Sequence, residues 1–161
     1  MSSPEDLHAL ELLRRVPYGR VATSMRALPF LSPARHIVVD GRVALRMHAG
    51  PGHHQACDGS VVAYAADNFN SPDAPLWSVQ FTGTAQLVEP TATELELFGP
   101  GPHFVDGEVF DPVYLRIEPQ FITVRSLSGN GSGSGKGKGK GKGKGKGKGK
   151  GIPDRLYQYA R

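Results

Sequence analysis

Lysine is absent from the first 127 residues of this 161-residue chain. All eight lysines lie in one alternation of glycine and lysine between residues 136 and 150. Residues 1–127 hold nine arginines against fourteen aspartates and glutamates, a net charge of −5, whereas residues 128–161 carry +9. The positive net charge of +4 for the whole chain therefore comes from residues 128–161. It gives no support to a nucleic-acid-binding fold in residues 1–127, because such folds carry clustered cations.

Cysteine and long apolar runs are equally scarce. Cys57 is the single cysteine, which excludes an internal disulfide. No apolar run approaches the roughly 20 residues that a membrane-spanning helix needs, so no membrane partner is expected. The stretch after Met1 is polar and acidic, unlike the apolar core of a secretory signal. Together these absences predict a protein of the reducing cytoplasm.

Familiar catalytic motifs are missing as well. The chain has no Ser/His/Asp motif, no phosphate-binding P-loop and no paired catalytic carboxylates. Hydrolase and kinase functions are therefore disfavoured.

Composition divides the chain into three segments: a domain at 1–127, a Gly/Ser/Lys linker at 128–151 and a short peptide at 152–161. The linker has no apolar side chain to bury and its like charges repel, so we expect a disordered tail. Residues 136–161 could bind an anionic partner or dock on a protein. A simple-sequence expansion and an engineered linker with a tag are equally compatible with this composition.

Within residues 1–127, strand patterns outnumber helical ones. Ser3 and Pro4 predict the start of a helix over 4–16, residues 53–58 predict a single helical turn, and 91–98 predict a short helix. Asp40-Gly41 predicts a hairpin, and Gly83 predicts a bulge or a close backbone approach. Strands are predicted at 20–24, 28–34, 36–39, 43–45, 61–65, 77–88, 114–117 and 121–125. This pattern favours a mainly β fold, a small closed or split barrel with peripheral helices.

The order of several short motifs resembles a known family. They are Gly19-Arg20-Val21-Ala22-Thr23-Ser24, Leu28-Pro29 with Ser32-Pro33-Ala34, Asp40-Gly41-Arg42-Val43-Ala44-Leu45-Arg46, Gly50-Pro51-Gly52, Val61-Val62-Ala63-Tyr64, Trp77-Ser78-Val79-Gln80-Phe81-Thr82-Gly83-Thr84-Ala85 and Tyr114-Leu115-Arg116-Ile117-Glu118-Pro119. The chain resembles the FMN-binding split-barrel family that includes pyridoxamine 5′-phosphate oxidase, in its actinobacterial, nitroimidazole-reductase-like branch.

The resemblance implies an FMN-dependent oxidoreductase that acts on a small molecule as a homodimer, with FMN at the subunit interface. It places the FMN phosphate at Arg46, His48 and the 49–54 segment, where a guanidinium and backbone N–H groups would receive it. It also implies that the 32–35 strand lines the flavin ring and that the substrate space lies by Trp77 and Ser78. The implied cofactor-binding residues are Ser32, Pro33, Ala34, Arg35, Arg46, His48, Gly52, His53, His54, Trp77 and Ser78. No proton donor can be assigned, although His36 and His48 are candidates.

One departure from the family leaves alternatives open. Gly52-His53-His54 stands where the family commonly has glycine, a small hydroxyl residue and lysine, and a neutral imidazole supplies only one hydrogen bond. F420 or haem could replace FMN, or the barrel could be a cofactor-free dimeric scaffold that displays its tail. His53 with Cys57, or His54 with Asp58, could ligate a metal from one helical turn. Arg46 could also be a surface arginine, and Trp77 a core residue.

Overall fold

The computed structural model describes residues 3–72 and 75–127. They form three helices and nine strands. In chain order the elements are α1 (Pro4–Arg14), β1 (Tyr18–Met25), β2 (Leu28–Val39), β3 (Arg42–His48), α2 (His53–Cys57), β4 (Val61–Asp67), β5 (Leu76–Leu87), α3 (Ala92–Phe98), β6 (Phe104–Val105), β7 (Glu108–Val109), β8 (Pro112–Ile117) and β9 (Gln120–Leu127). The predictions for the linker and the terminal peptide lie outside the described residues.

Six antiparallel strands close into a barrel in the order β1-β2-β3-β8-β5-β4, with β4 pairing back to β1. Large side chains such as Tyr64, Phe81 and Leu115 fill the interior, and α1 adds Leu10 and Leu13 to the same core. The prediction of a mainly β barrel with few helices is confirmed. No helix in the described ranges is long and apolar enough to cross a membrane.

Strand β5 changes partner along its length. Its last residues pair with β8, where Ala85 lies opposite Ile117, and its first part pairs with β9. The change occurs beside Gly83, where a Cβ atom would overlap the carbonyl oxygen of Glu118. The predicted close backbone approach at Gly83 is therefore confirmed.

Local sequence signals set the start of α1, and backbone hydrogen bonds tighten its end. Ser3 and Asp6 form a reciprocal capping box, with N–H to side-chain distances of 2.9 and 3.1 Å. Helix α1 ends at Arg14, two residues before the predicted end. The N–H groups of Arg15 and Val16 bond three residues back, which tightens the last turn.

Two strand predictions differ from the structure. The runs at 28–34 and 36–39 form one continuous strand, β2. Pro29 and Pro33 are tolerated because they lie in the half of β2 that pairs with β1 alone. The hairpin of β6 and β7 was not predicted, although Asp106-Gly107 has positive φ values of 52° and 80°, as Asp40-Gly41 has at 51° and 74°.

Candidate functional site

Side chains alternate along β2, so residues 32–35, which were predicted to line the flavin ring, lie on opposite faces of the strand. Ser32 and Ala34 are buried in the barrel, whereas Pro33 is exposed and Arg35 is half-buried on the outer face. The side chains at 32–35 therefore do not form one surface.

Arg35 lies directly opposite Arg46 across β2 and β3. Its Nη1 donates to the carbonyl oxygens of Pro17, at 3.2 Å, and His36, at 2.5 Å. Its Nη2 donates to the carbonyl oxygen of Leu97 in the last turn of α3, at 3.5 Å. A cation is favourable there because a helix C-terminus carries partial negative charge.

Arg46 is 6% exposed and also reaches the end of α3. Its Nη1 donates to the carbonyl oxygen of Gly99 at 2.7 Å, and its Nη2 to that of Pro100 at 3.5 Å. The guanidinium carbon lies 5.3 Å from the ring centroid of Phe98 and 6.0 Å from that of Phe110. Both contacts are within the range of cation–π attraction.

Neither of these two arginines has a carboxylate within 4.0 Å in residues 3–72 and 75–127. Burial lowers the pKa of Arg35, and the positive charge of Arg46 lowers it further. Arg116 differs, since it binds the buried carboxylate of Glu94 at 2.8 Å. Burial raises the pKa of Glu94, but the bonds from Thr91 and Arg116 outweigh it and hold that pKa below its ordinary value.

His48 lies next to this pair, under the segment 99–111 that we call the strap. Its Nδ1 accepts a hydrogen bond from the Asp111 N–H at 3.1 Å, and its ring stacks on Phe110 at 5.8 Å between centroids. Its Nε2 lies 3.6 Å from a carboxylate oxygen of Glu108. Arg46 and His48, the predicted phosphate ligands, are thus both engaged by the strap.

A cleft of about 310 Å³ opens beside Arg35, between the end of α1, β2 and the last turn of α3. Arg14, Arg15 and Arg35 line it together with apolar residues such as Val16 and Ile37. Its volume is at the lower end of the range for small-molecule sites. Sequence reasoning missed Arg14 and Arg15, although two consecutive arginines at the end of a predicted helix were a usable signal.

The two histidines of α2 lie in different environments. His53 hydrogen-bonds through Nδ1 to Ser32 Oγ and stacks on Phe30, with 4.0 Å between the ring centroids. The Nδ1 of His54 is buried without a hydrogen-bond partner in the described part of the chain, and the residue lines a separate cleft with Glu89. The structure thus joins Ser32 with His53, and Arg35 with Arg46, in two separate groups.

Gly52 precedes α2 with φ of 75°, a left-handed conformation that glycine adopts easily, and it supplies no side-chain cap. Helix α2 has only five residues, so its dipole adds little to anion binding.

No group of three or more His, Cys, Asp or Glu residues within 3–72 and 75–127 is arranged to hold a metal ion. Cys57 lies in the core, and burial raises the pKa of its thiol. Asp58 accepts a hydrogen bond from the Leu87 N–H at 2.9 Å. Cys57 and Asp58 were the predicted metal-ligand partners of His53 and His54, one helical turn away. Both make other contacts in the structure.

His36, one of the two candidate proton donors, is enclosed in the barrel. Its Nε2 donates to the carbonyl oxygen of Leu13 at 2.7 Å, and its Nδ1 lies 2.5 Å from the Tyr64 hydroxyl. Because a carbonyl only accepts, the neutral imidazole must accept from Tyr64 through Nδ1. Burial lowers the pKa of His36 and raises that of Tyr64. This pair is closed to a substrate.

Trp77 and Ser78 lie on opposite sides of β5. Trp77 packs in the barrel core, which is the core alternative considered from the sequence. Ser78 is half-buried on the outer face, opposite Asp67 on β4 and Arg125 on β9. The structure does not bring either residue to Arg46.

Comparison with known proteins agrees with this fold. The chain is 35% identical over 123 residues to the uncharacterized protein Rv0080 of Mycobacterium tuberculosis, which covers 71% of this chain and 78% of that protein. It is similar to the structure of an FAD binding protein from Mycobacterium smegmatis, with a TM-score of 0.60, 23% identity, and coverage of 80% of this chain and 98% of that one.

A protein of Corynebacterium glutamicum, provisionally assigned as a pyridoxamine 5′-phosphate oxidase, gives a TM-score of 0.59 at 26% identity over 76% of this chain and 94% of that one. The family model described as pyridoxamine 5′-phosphate oxidase matches residues 5–126. The predicted family is confirmed: this chain belongs to the pyridoxamine 5′-phosphate oxidase family.

Proposed function

We propose that this protein binds a flavin, with FMN as the preferred form, and acts as a homodimeric oxidoreductase on a small molecule. The observation that carries the proposal is the adjacent pair Arg35 and Arg46, which has no carboxylate within 4.0 Å in the described ranges. Two buried or half-buried cations without a counter-ion favour an anionic ligand.

The charge of the site fits a flavin phosphate. A guanidinium has five N–H donors, and the described contacts of Arg46 use its Nη1 and Nη2. Arg35 and Arg46 would hold the phosphate, and the cleft beside Arg35 offers apolar walls such as Val16 and Ile37. A bound flavin would supply the electron transfer to or from the substrate, while this chain supplies position and electrostatics.

The homodimer is supported by an exposed apolar surface on β4, β1 and β2. Leu31 and Val61 are exposed there on the outer face, and Ala22 lies opposite both Leu31 and Ala63. Small side chains between larger apolar ones make a surface on which a second sheet can pack closely. A contiguous apolar surface of this kind marks an interaction site, and we assign it to a second copy of this chain.

The names of the fold neighbours guide the choice of ligands to test. Structures of an FAD binding protein and of an FAD and haem binding protein, both from Mycobacterium smegmatis, share this fold. FAD and haem are therefore the alternatives to FMN, and His54, whose buried Nδ1 has no hydrogen-bond partner within 3–72 and 75–127, is the candidate contact for haem.

The proposal is tested by adding FMN, FAD, riboflavin or haem to the purified full-length protein, then desalting and recording visible absorption spectra. We expect FMN to stay with the protein and riboflavin, which lacks the phosphate, to be lost. Replacing Arg35 by Gln should weaken FMN binding about tenfold, the size of a lost hydrogen bond between charged groups. Arg42→Gln, an exposed arginine on β3, is the matched control.

Failure of FMN, FAD and riboflavin alike to remain with the protein would contradict flavin binding. Uptake of haem alone would make His54→Ala the next experiment. Equal loss of FMN affinity in Arg35→Gln and Arg42→Gln would show that the arginine pair is not the phosphate site.

A further inference from the structure

The strap, residues 99–111, is an acidic segment that contacts Arg46 and His48. It contains Asp106, Glu108 and Asp111 and has no lysine or arginine, so its net charge is −3. The surface beneath it carries the positive charge of Arg46 and the imidazole of His48. Strap and surface are therefore electrostatically complementary.

Arg46 binds the first residues of the strap through hydrogen bonds. Its two Nη atoms donate to the carbonyl oxygens of Gly99 and Pro100. A Cβ atom on Gly101 would lie 3.5 Å from the Arg46 guanidinium carbon and 3.0 Å from the Phe110 ring. The backbone at Gly101 thus packs closely between these two side chains.

His48 contacts the last residues of the strap. It accepts from the Asp111 N–H and stacks on Phe110, while Glu108 lies within ion-pair distance of its Nε2. A Cβ atom on Gly50 would lie 3.0 Å from the same Glu108 carboxylate. The strap therefore places a carboxylate over His48 and Gly50, two positions in the region where the family resemblance puts the phosphate.

Apart from a hydrogen bond from the Ala49 N–H to the Asp111 carbonyl at 2.8 Å, little else holds the strap to the barrel. Its hairpin has only two residues in each strand, and the facing pair Phe104 and Val109 is 65% and 72% exposed. A segment with few buried apolar contacts opens at low free-energy cost. Opening the strap therefore leaves the barrel core in place.

We propose that the strap is an autoinhibitory segment: the carbonyls of Gly99 and Pro100 occupy Arg46, and Glu108 occupies the neighbouring His48, so that a flavin phosphate binds only by displacing the strap. This inference rests on the proposed flavin function. A phosphate that binds Arg46 through both Nη atoms competes with the strap carbonyls, which accept from the same two atoms. A phosphate at His48 meets the Glu108 carboxylate, so the like charges also force the strap away.

The experiment combines hydrogen exchange with flavin titration on the full-length protein. Exchange at the amides of Ala49 and Asp111 reports strap closure, because these amides donate between barrel and strap, to the Asp111 carbonyl and to His48 Nδ1. We expect FMN to accelerate exchange of these two amides, and riboflavin at the same concentration to leave them unchanged. Inorganic phosphate alone should produce part of the FMN effect.

Two variants separate the strap's charge from its packing. Glu108→Gln should strengthen FMN binding about two- to fivefold, the range expected for removing one exposed charged contact. Phe110→Ala should release the strap without any flavin. Asp106→Asn is the matched control: it removes a carboxylate from the same hairpin, and asparagine tolerates the positive φ of 52° at that position.

The outcomes distinguish this inference from the proposed function. FMN binding with faster exchange of the Ala49 and Asp111 amides, and tighter binding in Glu108→Gln than in Asp106→Asn, supports both. FMN binding of equal strength in all variants, with these two amides still protected, overturns the strap inference and leaves the flavin function intact. Absence of flavin binding even in Phe110→Ala overturns both.

Discussion

Hydrogen bonds of histidine and arginine side chains occur both in the barrel interior and on the outer face under the strap, but they stabilise different parts of the structure. Inside, His36 bonds to Tyr64 and to the Leu13 carbonyl, and all three residues lie in the core. Outside, Arg46 and His48 bond to a strap whose tip is exposed. The inner contacts fix α1 to the barrel, whereas the outer contacts close a segment that can open without loss of the core.

The difference lies in what surrounds each hydrogen bond. A buried polar group that loses its partner pays the full cost of desolvation, about 1–3 kcal/mol. A strap carbonyl that loses Arg46 is rehydrated once the strap opens, so its loss costs far less. Changes to the inner pair should therefore alter global stability, and changes to the outer pair should alter local opening.

The largest effect is expected for Gly19→Ala. A Cβ atom at Gly19 would overlap the Tyr64 hydroxyl and lie 2.5 Å from the Ala65 carbonyl oxygen. Neither atom can move without disturbing the His36 contact or the pairing of β4 with β1. We expect a loss of about 3 kcal/mol in the free energy of unfolding, the cost of severe overpacking, measured by urea denaturation.

Gly41→Ala is a useful control for that variant, since its Cβ would have nothing within 4 Å and only the positive φ of 74° opposes it. Its cost should be about 1 kcal/mol. Equal losses in the two variants would contradict the close packing at Gly19.

A smaller effect is expected from protonation of His36. Burial lowers its pKa, the Arg35 charge lowers it further, and the Leu13 bond only partly opposes this. Above about pH 6.5 the imidazole is neutral in both states, and below it the unfolded chain binds a proton that the folded chain does not. The free energy of unfolding should therefore fall as the pH falls below about 6.5, by at most about 1.4 kcal/mol per pH unit.

Comparing urea unfolding at about pH 7.5 and about pH 5.5 in the wild type and His36→Gln isolates this contribution, since the other histidines are common to both proteins. Glutamine keeps a donor for the Leu13 carbonyl. A pH dependence as steep in His36→Gln as in the wild type would show that another group controls acid stability.

Much of the barrel could be predicted because its signals are local. The cap at Ser3, the turn at Asp40-Gly41 and the close approach at Gly83 each depend on a few neighbouring residues. Asp106-Gly107 carries the same turn signal as Asp40-Gly41, and was missed because only two residues on each side form strands. Continuity of β2 through its prolines could not be predicted, since it depends on which edge of the strand is unpaired.

The candidate site was harder to predict because its contacts are distant in sequence. Arg46 and Gly99 are 53 positions apart, and His48 and Asp111 are 63 apart. Composition and spacing could identify Arg46 and His48 as polar residues near a glycine-rich loop. They could not show that an acidic segment from beyond α3 folds back over both.

The smallest change in global stability is expected for Arg46→Met. Methionine is unbranched, fits the space between Phe98 and Phe110, and makes favourable sulfur–aromatic contacts. The strap carbonyls can turn to water, so we expect the free energy of unfolding to change by about 1 kcal/mol or less, near the centre of the range for single substitutions. Exchange of the Ala49 and Asp111 amides should nevertheless accelerate about tenfold, which corresponds to about 1.4 kcal/mol of local opening free energy. Arg42→Met, on the same strand but exposed, should change neither quantity.

If Arg46→Met instead destabilised the whole protein as much as Gly19→Ala, the outer contacts would belong to the cooperative core, and the distinction between the two faces of the barrel would fail.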